Sequence, residues 1–118
     1  MPDYHEPIEE LSAEARNFSR ALHSLKEEIE AINWYHQRVD VTDDDQLRKV
    51  LAHNRDEEIE HACMALEWLR RNMPAWNEHL STYLFTEADI TAIEEGESTE
   101  SEKQTDEPDS GDLKIGKI

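Results

Sequence analysis

The chain has 118 residues, 29 of them acidic and 12 basic, and a formal net charge of −17. That length has room for one domain at most, and that charge argues against nucleic acid or an anionic membrane as partner while favouring the attraction of cations. No apolar run approaches the ~20 residues needed to cross a bilayer, residues 1–6 carry neither the basic nor the apolar region of a signal peptide, and the single cysteine, Cys63, leaves no disulfide framework. The expectation is a cytoplasmic protein.

Taken in order, the chain opens with Pro7, which can start a helix because its missing N–H would be unsatisfied there anyway. From Ile8 the positions Leu11, Ala15, Phe18, Leu22, Leu25, Ile29, Ile32, His36 and Val39 follow at alternating steps of three and four. One polar residue in ten predicts a helix over residues 7–39. Residues 40–45 break the pattern, with Thr42 or Asp43 offering an N-cap. A second helix is expected over residues 44–71, with Arg70 and Arg71 near the negative end of its dipole. The short connection makes the two an antiparallel hairpin. Asn72-Met73-Pro74 stops that helix and starts a third, residues 74–85, with Trp76, Leu80, Tyr83 and Leu84 on its apolar side.

The second helix carries the chemistry. Its apolar stripe reads Leu47, Leu51, then Ala65 and Trp68, and in the gap it passes over Asn54, Glu58 and His61. A carboxylate and an imidazole thus stand where leucine is expected, and burying them calls for a counter-charge, a hydrogen-bond partner or a metal. Glu58 and His61 are one turn apart on one face. This Glu-x-x-His spacing presents one oxygen and one nitrogen ligand to the same ion in di-iron carboxylate bundles. From this helix alone a second reading stands beside it, in which Glu58 pairs with Arg55 and His61 is a satisfied core histidine.

Composition changes near Glu94. Between residues 94 and 109 there are eight acids, one lysine and no apolar side chain, so this stretch cannot bury enough surface to order itself. Apolar residues return at the end, in Leu113-Lys114-Ile115-Gly116-Lys117-Ile118. In an extended peptide Leu113 and Ile115 could fill neighbouring pockets on a partner. The expected organisation is a helical domain over 1–93, an acidic linker over 94–110 and a docking peptide over 111–118.

Two amphipathic helices and a short third make a thin core, so self-association is the expected remedy. A second stripe on helix 1 reads Ala21, Leu25, Glu28, Ile32, Tyr35, with Glu28 its only charge. Glu30 instead shares its face with Lys26, Asn33 and Gln37, an ordinary solvated surface, and Glu27 is intermediate, beside Ser24, Ala31 and Trp34. A di-iron bundle of the ferritin type needs a Glu from each of two helices and Glu-x-x-His from each of two others. One chain holds half of that set, and a two-fold dimer of hairpins would hold all of it. The expected fold is therefore all-α, an antiparallel two-helix hairpin plus a short third helix that completes a four-helix ferritin-like bundle by dimerisation. Carboxylate and imidazole ligands suit iron or manganese, and there is no thiolate set for structural zinc.

The sequence resembles the encapsulated ferritins. The likeness rests on residues 27–35 (EEIEAINWY), 53–62 (HNRDEEIEHA), 67–71 (EWLRR), 83–87 (YLFTE) and the terminal 113–118 (LKIGKI). By that resemblance Glu28, Glu58 and His61 are iron ligands of a ferroxidase centre formed between two subunits. Trp34 and Tyr35 match aromatics beside it, Tyr35 as a hydrogen-bond donor, and Glu27 and Glu30, with Trp34 either there or beside the centre, match an entry site for iron, calcium or other divalent cations. The resemblance further implies oxidation of ferrous to ferric iron by oxygen, a ring-shaped decamer of paired subunits, and storage inside an encapsulin shell to which the terminal peptide docks. Two other readings remain: an acidic helical adaptor in which Glu58 and His61 only fix helix register, and a di-iron protein that reduces peroxide.

Overall fold

A computed structural model of the chain describes residues 4–96. The acidic linker from residue 97 onward and the proposed docking peptide, 111–118, lie outside the described residues. All the regular structure described is helical: a 3₁₀ turn, Ile8–Glu10, then α1 (Ala13–Val41), α2 (Asp45–Asn72), α3 (Pro74–Tyr83) and α4 (Ile90–Glu95). The chain divides into two compact units, between Trp76 and Asn77.

The first helix starts later than its apolar stripe predicts. Pro7 opens only the 3₁₀ turn, Leu11 is extended (φ −85°, ψ 136°), and α1 begins behind Ser12, whose hydroxyl accepts from Ala15 N–H at 3.0 Å. A serine hydroxyl placed to satisfy an otherwise orphaned N–H outcompetes helix continuation. The turn stays tied to the helix by the Arg16 guanidinium, which donates to the Ile8 carbonyl at 2.9 Å. At the other end Thr42 closes α1: its backbone N–H and its hydroxyl both donate to the Arg38 carbonyl.

Neither Thr42 nor Asp43 caps α2. Asp44 does, accepting from Leu47 N–H at 2.8 Å, since from that position an ionised carboxylate reaches the positive end of the helix directly. Arg48 then donates to the Thr42 carbonyl at 3.1 Å across the connection. The hairpin is antiparallel, as three contacts between α1 and α2 record. His36 meets Arg55 at 3.1 Å, Glu28 meets His61 at 3.9 Å, and Phe18 meets Trp68 edge-to-face with ring centroids 5.8 Å apart, a pairing worth about 0.5–1.5 kcal/mol beyond its area.

The hairpin is too thin to hide its apolar side chains. Among the described residues only Leu69 and Ile93 are buried, while Leu22, Ile29, Trp34, Ile59, Met64 and Trp68 remain exposed. None of the described helices is long and apolar enough to cross a membrane.

In the second unit α3 ends at Tyr83, two residues short of expectation. The chain turns at Phe85, which takes a left-handed conformation (φ 60°), and Thr86 donates its hydroxyl to the Tyr83 carbonyl at 2.8 Å. Helix α4 has no counterpart among the helices that the apolar spacing predicts. Asp89 caps it, accepting from Ala92 N–H at 3.2 Å, and Gly96 closes it through an N–H bond to the Ala92 carbonyl at 2.9 Å. It runs through Glu94 and Glu95, the first two residues of the acidic stretch.

Candidate metal centre

Glu28 lies near the middle of α1, and the antiparallel pairing sets it opposite Glu58 and His61, one turn apart on α2. The three side chains converge: each offers one ligand atom, and these atoms lie within 4.8 Å of one another. His61 Nδ1 is 3.5 Å from a Glu58 carboxylate oxygen and 3.9 Å from one of Glu28. Two atoms bound to the same first-row ion at about 2.1 Å can be at most about 4.2 Å apart, and both nitrogen–oxygen separations are inside that limit.

The electrostatics distinguish this cluster from a salt-bridge network. Glu28 is held above its ordinary value of 4.5, chiefly by the hydrogen bond its carboxyl shares with Glu58, then by burial and by the Glu58 charge. The Glu27 charge adds to the rise, and His61 opposes it. Two half-buried carboxyls, each 27% exposed, crowd into one space, and Glu28 is the one driven toward keeping its proton. A divalent cation would replace that proton and satisfy both oxygens at once. The donor set of two carboxylates and an imidazole therefore fits a hard or borderline ion such as iron or manganese.

The pairing of Glu58 with Arg55, the structural alternative, is not what Arg55 does. Its guanidinium turns to Asp56 at 3.1 Å and to His36 across the hairpin, also at 3.1 Å. Nor is His61 a core histidine, since its side chain is 46% exposed.

The other candidate residues lie apart from this cluster. Tyr35 is half-buried two turns along α1 from Glu28, and the Arg38 guanidinium lies over its ring at 5.2 Å. Glu27 is exposed and pairs with His23 Nε2 at 3.0 Å. Glu30 is exposed on the same helix. Trp34 is exposed and lines a shallow depression with Gln37, Arg38 and Val41. One neighbour escaped sequence reasoning: Glu57, whose carboxylate is 4.0 Å from His61 Nε2 and 3.7 Å from His53 Nε2. Its i,i+4 spacing to both histidines is the signal the sequence carries for it.

Comparison with known proteins agrees with this architecture. Residues 3–87 match the family model described as EncFtn-like. The chain is 61% identical over 115 residues to a "Ferritin-like protein" of Thermotoga maritima, covering 98% of this chain and 96% of that protein. It is 52% identical over 120 residues to the "Encapsulated ferritin-like protein" of Rhodospirillum rubrum, covering 97% and 86%. A shorter match, 36% identical over 56 residues and covering 48% and 43%, is to the "Encapsulin nanocompartment cargo protein EncC" of Myxococcus xanthus. Among solved structures, the crystal structure of protein ne0167 from Nitrosomonas europaea superposes with a TM-score of 0.73 at 53% identity, over 75% of this chain and 98% of that one.

Proposed function

The chain belongs to the EncFtn-like family, and from that premise we propose that it is a ferroxidase whose di-iron centre is formed between two subunits and which supplies ferric iron for storage inside an encapsulin compartment. The observation that carries the reading is the convergence of Glu28, Glu58 and His61 from two helices onto one space. Three ligands from one chain are half of a ferritin-type set. A two-fold axis beside the open side of His61 would bring the second half, and the exposed apolar side chains of the hairpin would be covered in the same step. Ring closure into a decamer would repeat that pairing.

Ferrous iron is the substrate. Two ferrous ions give one electron each to dioxygen, which with two protons leaves as hydrogen peroxide. Glu28 and Glu58, as anions, stabilise the more highly charged ferric product. The proton that Glu28 is driven to keep would have to leave for metal to bind, and the open side of the site gives it a path to solvent. His61 contributes a neutral nitrogen that leaves the site's charge to the carboxylates. Glu27, Glu30 and Trp34, on the exposed side of α1, would receive iron, calcium or other divalent cations on their way in. Tyr35, further along the face of Glu28, would donate a hydrogen bond beside the centre.

Encapsulation is supported by the names of two relatives and by the return of apolar residues in the terminal peptide, 111–118. The test is the rate of ferrous oxidation by oxygen and by peroxide in the native protein, Glu28→Gln and His61→Ala. Oxygen-driven oxidation lost in both variants is expected. Undiminished oxidation in both would overturn the assignment, and turnover with peroxide alone would make the protein a peroxide reductase. Removing residues 111–118 should abolish co-assembly with the shell protein and leave oxidation intact.

A further inference from the structure

One carboxylate beside the cluster has no role in it so far. His53, Glu57 and His61 stand at i, i+4 and i+8 along one face of α2. Glu57 faces both rings, one oxygen 3.7 Å from His53 Nε2 and the other 4.0 Å from His61 Nε2. The opposite nitrogen of His61, Nδ1, is the one turned to Glu58 and Glu28. A neutral imidazole carries one proton and one lone pair, on different nitrogens. To bind a metal between the two carboxylates, His61 must keep its lone pair on Nδ1 and its proton on Nε2. Yet both carboxylates would draw the proton to Nδ1, where it blocks the site. Something on the far side of the ring has to oppose them.

We propose that Glu57 is a positioning residue for His61: by accepting from Nε2–H it fixes the tautomer that leaves Nδ1 free to bind metal. This rests on the reading of Glu28, Glu58 and His61 as a metal centre. The 4.0 Å separation is one side-chain adjustment from a hydrogen bond, and both groups are about half exposed, so such adjustments are fast. The arrangement has the form in which metal-binding histidines donate their second N–H to a carboxylate. His53 competes for the same carboxylate, so Glu57's hold on His61 should tighten when His53 is removed.

The test uses the full chain and reads the tautomer directly. Nitrogen–proton NMR correlations of His61, assigned by their loss in His61→Gln, are recorded without metal and with Zn2+ as a redox-silent probe, together with Zn2+ affinity. The variants are Glu57→Gln, which keeps an acceptor oxygen, Glu57→Ala, and Glu60→Ala as a control for the lost charge. The native protein and Glu57→Gln should hold the proton on Nε2. Glu57→Ala should shift it toward Nδ1 and weaken Zn2+ binding about ten- to a hundredfold, with Glu60→Ala close to native. An unchanged tautomer in Glu57→Ala, or equal losses in Gln and Ala, would overturn the positioning role. A native His61 that holds its proton on Nε2 but does not respond to Zn2+ would instead sink the metal-centre reading and leave Glu57's hold on the ring standing.

Discussion

Glu58 and Glu67 lie on the same helix, and each is joined to two other ionisable side chains, but of opposite kind. Glu67 accepts from Arg70 through both carboxylate oxygens at 2.8 Å and from Arg71 at 2.7 Å. Those guanidiniums hold it down to about 2. Glu58 faces Glu28, whose carboxyl is held up chiefly by the hydrogen bond between the two, and has the His61 imidazole 3.5 Å away. Where the sequence supplies the counter-charge, the acid serves the helix C-terminus. Where it gathers acids without one, a cation from solution would supply the missing charge.

The comparison breaks first at the site itself. Glu58→Ala or His61→Ala should reduce metal affinity by more than the ten- to hundredfold typical of an outer contact, measured by calorimetry, while the melting temperature of the metal-free protein does not fall. Glu67→Gln should do the reverse, lowering the melting temperature and leaving metal affinity unchanged. A shared loss of both properties in either variant would erase the distinction between site and scaffold.

Acid titration separates the two clusters by sign. Glu28, raised in the fold, contributes stability that is complete below its ordinary 4.5 and is lost as pH rises through its folded value. Glu67, depressed in the fold, contributes stability present above 4.5 and lost as pH falls toward about 2. The metal-free protein should therefore gain stability as pH drops toward 4.5 and lose it below. Glu28→Gln should flatten the upper arm and Glu67→Gln the lower, as followed by denaturant midpoints at each pH. The smallest effect lies in the second unit: Phe85→Gly should relieve a left-handed backbone position and raise stability by about 1 kcal/mol, read from denaturant unfolding.

Much of this was legible in sequence because the long helices repeat their signal. The stripe from Ala15 to Val39, broken only by His36, runs in register along α1, and the interruption of the α2 stripe at Glu58 and His61 marks the candidate site. The antiparallel hairpin then sets Glu28 opposite them, as its own stripe implied. The misses are local and short. Ser12 and Asp44 decide where α1 and α2 start through single side-chain bonds, which a stripe extending past them conceals. Helix α4 has six residues, fewer than two turns, so its only marks were Asp89 before it and Gly96 after it. Glu57 was missed because its significance depends on which nitrogen of His61 faces the cluster, and ring orientation is not written in spacing.

The most direct test of the central claim is an anaerobic ferrous titration followed by native mass. Saturation at two irons per pair of chains, with dimers or larger rings forming as iron is added or already present, is the predicted result. Chains that take up no iron in saturable amounts and whose mass does not change would contradict it and leave Glu28, Glu58 and His61 as a polar contact between helices.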